Sequence, residues 1–217
     1  MNRKFVAIIL ACLLGVGAYF VAYSIASITA SAPNEHLEGL PTIVIDAGHG
    51  GYDGGAVGVD NIVEKDINLS IAKKLYDMMQ INGFDVVLTR DCDESLHDDD
   101  RVSNRKKKTS DIRKRLAIAK SYDRAILLSI HQNKFIGPRY FGAQVFYGPK
   151  NQESERFGKI MQTRFVNMLQ SENTRLSKKC GDSVYLIYNA PMPALLIECG
   201  FLTNPKEAHL LNRDEYQ

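Results

Sequence analysis

Four residues of this chain, His49, Glu64, His131 and Glu198, have the types and placement that suit metal-assisted hydrolysis. His49 lies in "VIDAGHGGYDGGAVG", Val44 to Gly58, where six glycines let the backbone bring an imidazole close to an ion without a Cβ clash. His131 follows "AILLSI", Glu198 ends "ALLIE", and Glu64 stands in "NIVEKDIN" just ahead of a helical pattern. Two imidazoles and one carboxylate make a His₂Glu set, a recurring zinc arrangement that leaves a fourth position open to water. Zinc in such a site lowers the pKa of its water to about 7 and polarises a carbonyl. A further acidic group must then move the proton to the leaving group, and Glu198 suits that task. Asp46 could orient one histidine by accepting its other N–H. Each residue also has a bland reading: a surface histidine in a glycine loop, or a glutamate favoured by charge at a helix N-terminus. Spacing alone leaves both readings open.

The elements that must position these residues are legible in the hydrophobic pattern. Strand-like runs "TIVIDA", "FDVVLT", "AILLSI" and "ALLIE" alternate with helical patterns. The first helix is expected from Asp66, with Ile67, Ile71, Leu75, Met78 and Met79 on one face, to a stop at Asn82-Gly83. A second is expected near Asp111 to Ser121, capped by Ser110 or Asp111, and a long one from about Gln152 to Gln170. The alternating "GAQVFYG" suits an edge or antiparallel strand, while "AILLSI" and "ALLI" suit buried central ones. Together these predict one α/β domain with a mostly parallel, helix-covered sheet. Side chains just past the carboxyl ends of such strands converge on one crevice, which would gather His49, His131 and Glu198, with Glu64 on a loop at the same edge.

The chain has 217 residues, 45% of them hydrophobic, and a formal charge of +2, too near neutral to favour nucleic acid as a partner. Arg3 and Lys4 precede an uncharged run from Phe5 to Ile28, long enough for a bilayer, which needs about 20 apolar residues. Residues 1–30 are therefore expected to be a membrane anchor or a signal peptide. The run's length favours the anchor, with residues 31–41 as linker and the domain, residues 42–217, outside the membrane. "ILAC" faintly resembles a lipoprotein site, but apolar residues continue well past Cys12. Cys92, Cys180 and Cys199 form no CxxC pair, and Cys199 is expected to be a small buried residue pointing away from Glu198. Six acids between Asp91 and Asp100 and eight bases between Arg101 and Arg115 are expected to form a solvated loop, with a docking surface as the other reading. His36, His97 and His209 are not expected at the site.

The blocks "IDAGHGGYDGGAVG", "EKDINLSIAKKL", "VVLTRDCD", "LSIHQN" and "LLIECGFLTNP", in this order, resemble the zinc-dependent N-acetylmuramoyl-L-alanine amidases of amidase family 3, from about Thr42 to the end. The resemblance implies a twisted sheet with helices on both sides and cleavage of the amide between the lactyl group of N-acetylmuramic acid and L-alanine of the peptidoglycan stem. It implies His49, Glu64 and His131 as zinc ligands and Glu198 as the catalytic acid/base, with Asn133 and Arg115 as substrate contacts. The anchor, the compact domain and "GAQVFY" and "YNAPMPALLIECGF" are most similar to the germination-specific members of endospore formers. These work on spore cortex in the first step to muramic-δ-lactam, which would place the chain outside the forespore membrane, where an activating protein partner is a reasonable expectation. Departures are the missing Asn after "IRKRLAIAKSYD", Lys134 where a small residue is usual, and an end at "NRDEYQ" where the family adds another helix. Two other readings are a zinc peptidase cutting the stem peptide and a non-catalytic wall-binding or docking module.

Overall fold

A computed structural model describes residues 39–217, so the expected membrane segment and most of the linker lie outside the described residues. Among the described residues no helix is long and apolar enough to cross a membrane. The elements are β1 (Thr42–Ala47), α1 (Glu64–Ile81), β2 (Val86–Leu88), α2 (Asn104–Lys120), β3 (Ala125–Asn133), β4 (Gln144–Tyr147), α3 (Gln152–Met168), β5 (Lys178–Lys179), α4 (Tyr185–Asn189), β6 (Ala194–Phe201) and α5 (Pro205–Leu211). A short 3-10 turn, Val59–Asn61, precedes α1.

One six-stranded sheet has the order β2-β1-β3-β6-β4-β5. β2, β1, β3 and β6 are mutually parallel, while β4 runs antiparallel to β6 and carries β5 alongside. The sheet is thus mixed, with the expected buried strands β3 and β6 at its centre. "GAQVFYG" is antiparallel as its alternation predicts, but it is not an edge, because the two residues of β5 cover it.

Period-two alternation divides the strands between two cores. Val44, Leu127, Ala194 and Leu196 pack against Leu116 and Ala119 of α2 and Leu186 and Ile187 of α4. Ile43, Ile45, Leu128, Ile130, Leu195 and Ile197 pack on the other face with Ala72 of α1 and the partly buried Phe157, Met161 and Phe165 of α3. Helices therefore cover both faces, and the odd-even register fixes which polar side chains share a face: Asp46 with Val44, Ser129 and His131 with Leu127, and Glu198 with Leu196.

Two boundaries differ from the sequence expectation. α1 begins at Glu64, so this glutamate is the first helical residue and not part of the preceding loop. α2 begins at Asn104, which makes the basic half of the charged block a helix. Lys and Arg are good helix formers, and the acids ahead of them neutralise the run: Lys107 pairs with Asp100 at 3.0 Å and Lys114 with Asp98 at 2.5 Å. Asp111 lies inside α2 and caps nothing; its Oδ1 accepts from the Leu96 N–H at 2.7 Å and so ties the acidic loop down.

Candidate active site

Each candidate side chain comes from a different element at the carboxyl edge of the central strands. His49 sits two residues past β1 at φ +63°, an uncommon conformation for a non-glycine residue that turns its ring inward. His131 is inside β3, directly across from Glu198 in β6. Glu64 projects from the first turn of α1.

The geometry is compact. His131 Nδ1 lies 2.9 Å from Glu64 Oε1 and His49 Nε2 lies 3.3 Å from Glu64 Oε2. The two rings meet edge to face with centroids 5.0 Å apart. One ligand atom from each of the three residues lies within 4.8 Å of the others, so the set could hold a metal ion. Glycines make the space: a Cβ on Gly55 would stand 2.5 Å from Glu64 Oε2 and 2.6 Å from His49 Cδ2, and one on Gly48 would collide with the His131 ring. The glycine run thus has the close-approach role that its composition predicts.

The carboxylates around His49 set its charge. Burial works against a charged His49, but Asp53, 3.0 Å from its Nδ1, and Glu64 outweigh burial and raise its pKa to about 9. Glu64 is also buried, yet hydrogen bonds and charge from both histidines hold its carboxyl well below the usual carboxylate range. It also accepts from the Ala56 N–H at 2.7 Å and the Gln132 N–H at 3.1 Å. This is the acceptor-rich, ionised carboxylate that a cation needs. Asp53 was missed in the sequence reading; its i+4 spacing from His49 was the available signal.

Glu198 is different. Burial pushes its pKa up to about 7, and its Oε2 is buried with no hydrogen-bond partner. A buried carboxylate oxygen without a donor is costly in an ordinary core. Beside a set of potential ligands, it is where a polar reactant would be met. The donor chemistry and this orphan atom together fit a resident divalent ion. Cys199 follows with its thiol pushed up to about 12 by burial, packed on the other core, in agreement with its expected bland role.

Beneath the site lies a network that sequence reasoning misassigned. Asp46 touches neither histidine; its carboxylate accepts from Arg115 Nη1 at 2.8 Å, Thr89 Oγ1 at 2.7 Å and Ser129 Oγ at 2.6 Å. Arg115, expected at the substrate, is 3% exposed and directs its donors inward, to Asp46, Asp111 and the carbonyls of Ala47 and His49. Its position inside α2, facing the core, removes it from the cleft surface. Arg90 does the same work from the other side, donating to the carbonyls of Ala47, Gly48, Cys92 and Lys65. Arg90 was not singled out from the sequence, where "VVLTRDCD" gave no hint of burial.

Asn133 ends β3. A register shift between His131 and Asn133 makes Asn133 the partner of Phe201, so Asn133, Phe201, His131 and Glu198 share one face. Asn133 is half-buried there. His97 and His209 lie away from the site, on the acidic loop paired with Asp100 and on α5 paired with Asp60.

Comparison with known proteins places this geometry. The family profile for N-acetylmuramoyl-L-alanine amidase (Amidase_3) matches residues 43–217. A germination-specific N-acetylmuramoyl-L-alanine amidase of Bacillus subtilis is 38% identical over 175 residues, 81% of this chain and 73% of the relative. Among solved structures, the CwlD amidase of Clostridioides difficile in complex with the GerS lipoprotein superposes with a TM-score of 0.77 at 38% identity, over 81% of this chain and 90% of that one. The catalytic domain of CwlV, an N-acetylmuramoyl-L-alanine amidase of Bacillus (Paenibacillus) polymyxa, gives a TM-score of 0.67 at 28% identity, over 82% and 89% of the two chains. With a family match over nearly all of the described residues and the motif residues gathered at one edge of the sheet, the chain belongs to the N-acetylmuramoyl-L-alanine amidase family (Amidase_3).

Proposed function

We propose that this enzyme binds zinc through His49, Glu64 and His131 and hydrolyses the amide joining N-acetylmuramic acid to L-alanine in peptidoglycan, with Glu198 as acid and base. The observation that carries the reading is the orphaned Oε2 of Glu198, buried on the face that also bears His131. Zinc, when bound, acidifies a water and polarises the scissile carbonyl. Asp53, hydrogen-bonded to Nδ1 of His49, fixes that ring so that Nε2 faces the cleft. Glu198 takes a proton from the attacking water at Oε2 and returns it to the alanine nitrogen as the amide breaks. A pKa raised toward neutrality by burial suits a group that must do both.

The germination-specific relative supports a narrower setting. The substrate would be spore cortex, the reaction the first step to muramic-δ-lactam, and the place the space outside the forespore membrane, with residues 1–30 as anchor. The structure of the Clostridioides difficile amidase bound to a lipoprotein supports a membrane-attached protein partner that assists the site. The test is mass spectrometry of spore-type peptidoglycan incubated with the full chain, with zinc or with chelator. Stems released with a free L-alanine amino end only in zinc are expected. Cuts within the stem would indicate a peptidase, and intact stems in both samples, with and without the partner, would indicate a binding module.

A further inference from the structure

Arg175 lies on the loop leading into β5, at the same edge of the sheet as the catalytic face. Its guanidinium is held at three points. Nε donates to the Phe141 carbonyl at 2.9 Å, Nη1 donates to Gln144 Oε1 at 3.1 Å, and the plane lies over the Phe201 ring at 4.4 Å. Two of the three, Gln144 and Phe201, belong to the active face. Gln144 is the direct cross-strand partner of Glu198, and Phe201 shares the face of Asn133 and Glu198 through the register shift in β3 and β6. Gln144 is itself 4% exposed and fixed through Nε2 to the Leu176 carbonyl at 2.9 Å. The carboxylate whose charge registers Arg175, Glu207, directs its oxygens to the N–H groups of Gly142 and Phe201 instead. A half-buried guanidinium is therefore oriented by a carbonyl, an amide and an aromatic ring, while its Nη2 edge has no acceptor among the described residues.

An arginine held in this way is preorganised for a planar anion, since a fixed fork loses little entropy on binding a carboxylate. It sits one side chain, Gln144, away from the acid/base. That offset suits a group on the leaving peptide, not the reacting carbonyl. The stem peptide has such groups. Its second residue, a glutamate joined through its side chain, bears an α-carboxyl that is free in some walls and amidated in others, and its third residue can bear another.

We infer that Arg175 is a substrate-binding residue that recognises a carboxylate of the stem peptide and makes the enzyme selective for carboxylate over carboxamide stems. The inference rests on the amidase reading above.

The experiment compares the zinc-loaded full chain with its Arg175→Gln and Arg175→Lys variants. Substrates are muramoyl dipeptides ending in glutamate or isoglutamine, and muramoyl tripeptides with carboxylate or carboxamide on the third residue. The wild type is expected to prefer carboxylate on the order of tenfold in kcat/KM, mostly through KM, because the contact is remote from the reacting bond. The acid-to-amide ratio should fall to near one in Arg175→Gln and be partly restored in Arg175→Lys, which keeps the charge and tests against simple misfolding. Preference at residue two or at residue three names the carboxylate recognised. No preference in the wild type, or equal slowing of acid and amide in the variants, overturns the inference. If the wild type releases no stem from any substrate, with or without the partner, the amidase reading fails; calorimetric binding of the free peptides then decides Arg175 separately, by the same ratio.

Discussion

The buried pair of Asp46 and Arg115 offers a perturbation whose size follows from the geometry. Asp46 is 1% exposed and Arg115 3%, so neither charge is screened by water. Burial alone would raise the Asp46 pKa, but Arg115, Ser129 and the nearby His131 overcome it and lower it from 3.8 to about 2. That gap corresponds to about 2 kcal/mol of folded-state preference for the carboxylate. Asp46→Asn keeps the shape and one acceptor but removes the charge from beneath Arg115. We expect it to cost about 2–3 kcal/mol, at or below the low end of the range for broken buried pairs. For a domain of this size that is a fall in Tm of about 4–12 °C.

The sign of the pH dependence follows from the lowered pKa. The contribution of Asp46 is complete above its unfolded value of 3.8 and is lost as pH falls toward about 2. The difference in Tm between wild type and Asp46→Asn should therefore be constant from pH 7 to 5 and shrink below pH 4. Thermal melts followed by circular dichroism, with chelator present so that metal binding does not mask the effect, provide the assay. Because Arg115 also holds the His49 carbonyl at 2.8 Å, zinc affinity in the variant should drop by about tenfold. A Tm within 2 °C of wild type at pH 7, or a gap that ignores pH, would refute this role for the buried Asp46–Arg115 pair.

Glu198→Gln should abolish stem release while leaving zinc content, measured by elemental analysis, near one per chain; turnover within a few fold of wild type would remove Glu198 from the mechanism. In the wild type the rising limb of kcat/KM against pH should have its midpoint above the ordinary 4.5 of a glutamate and at or below about 7, the side on which its carboxylate is available as base. Gly55→Ala should weaken zinc binding by at least tenfold, because the added methyl meets Glu64 and His49 at contact distances under 3 Å and the residue sits at φ +70°. Competition with a chromogenic chelator measures this, and an unchanged affinity would show that the loop can yield.

Much of this was legible because the signals were periodic. Central β3 and β6 announced themselves as continuous apolar runs, and three of the candidate residues, His49, His131 and Glu198, could be placed at strand ends because parallel sheets gather those ends. Boundaries set by long-range neutralisation were not legible. The start of α2 at Asn104 depends on Lys107 and Lys114 meeting Asp100 and Asp98, which a charge count reads only as self-repulsion. Arg115 was misplaced for a related reason: an arginine in a basic run reads as exposed until Asp46, 69 residues away, appears beside it.

The same network resolves the tension in the glycine loop. Glycines permit the left-handed turns and close approach that bring His49 to Glu64, but they also make the loop entropically expensive to fix. Within the loop, Gly50 and Asp53 pair through two backbone hydrogen bonds and Asp53 orients the His49 ring. The remaining rigidity comes from below, where two buried guanidiniums bind the carbonyls of Ala47, Gly48 and His49. Burying two arginines is itself costly, and Asp46 and Asp111 offset that cost while carbonyls satisfy the remaining donors. Softness along the chain and stiffness in space are thus compatible, because Arg90, just past β2, and Arg115 of α2 reach the loop from elements distant in sequence. Positioning of the His49 ring is in this sense a property of the whole domain, and substitutions at Asp46, Arg90 or Arg115 should act on metal binding without any of them touching the metal.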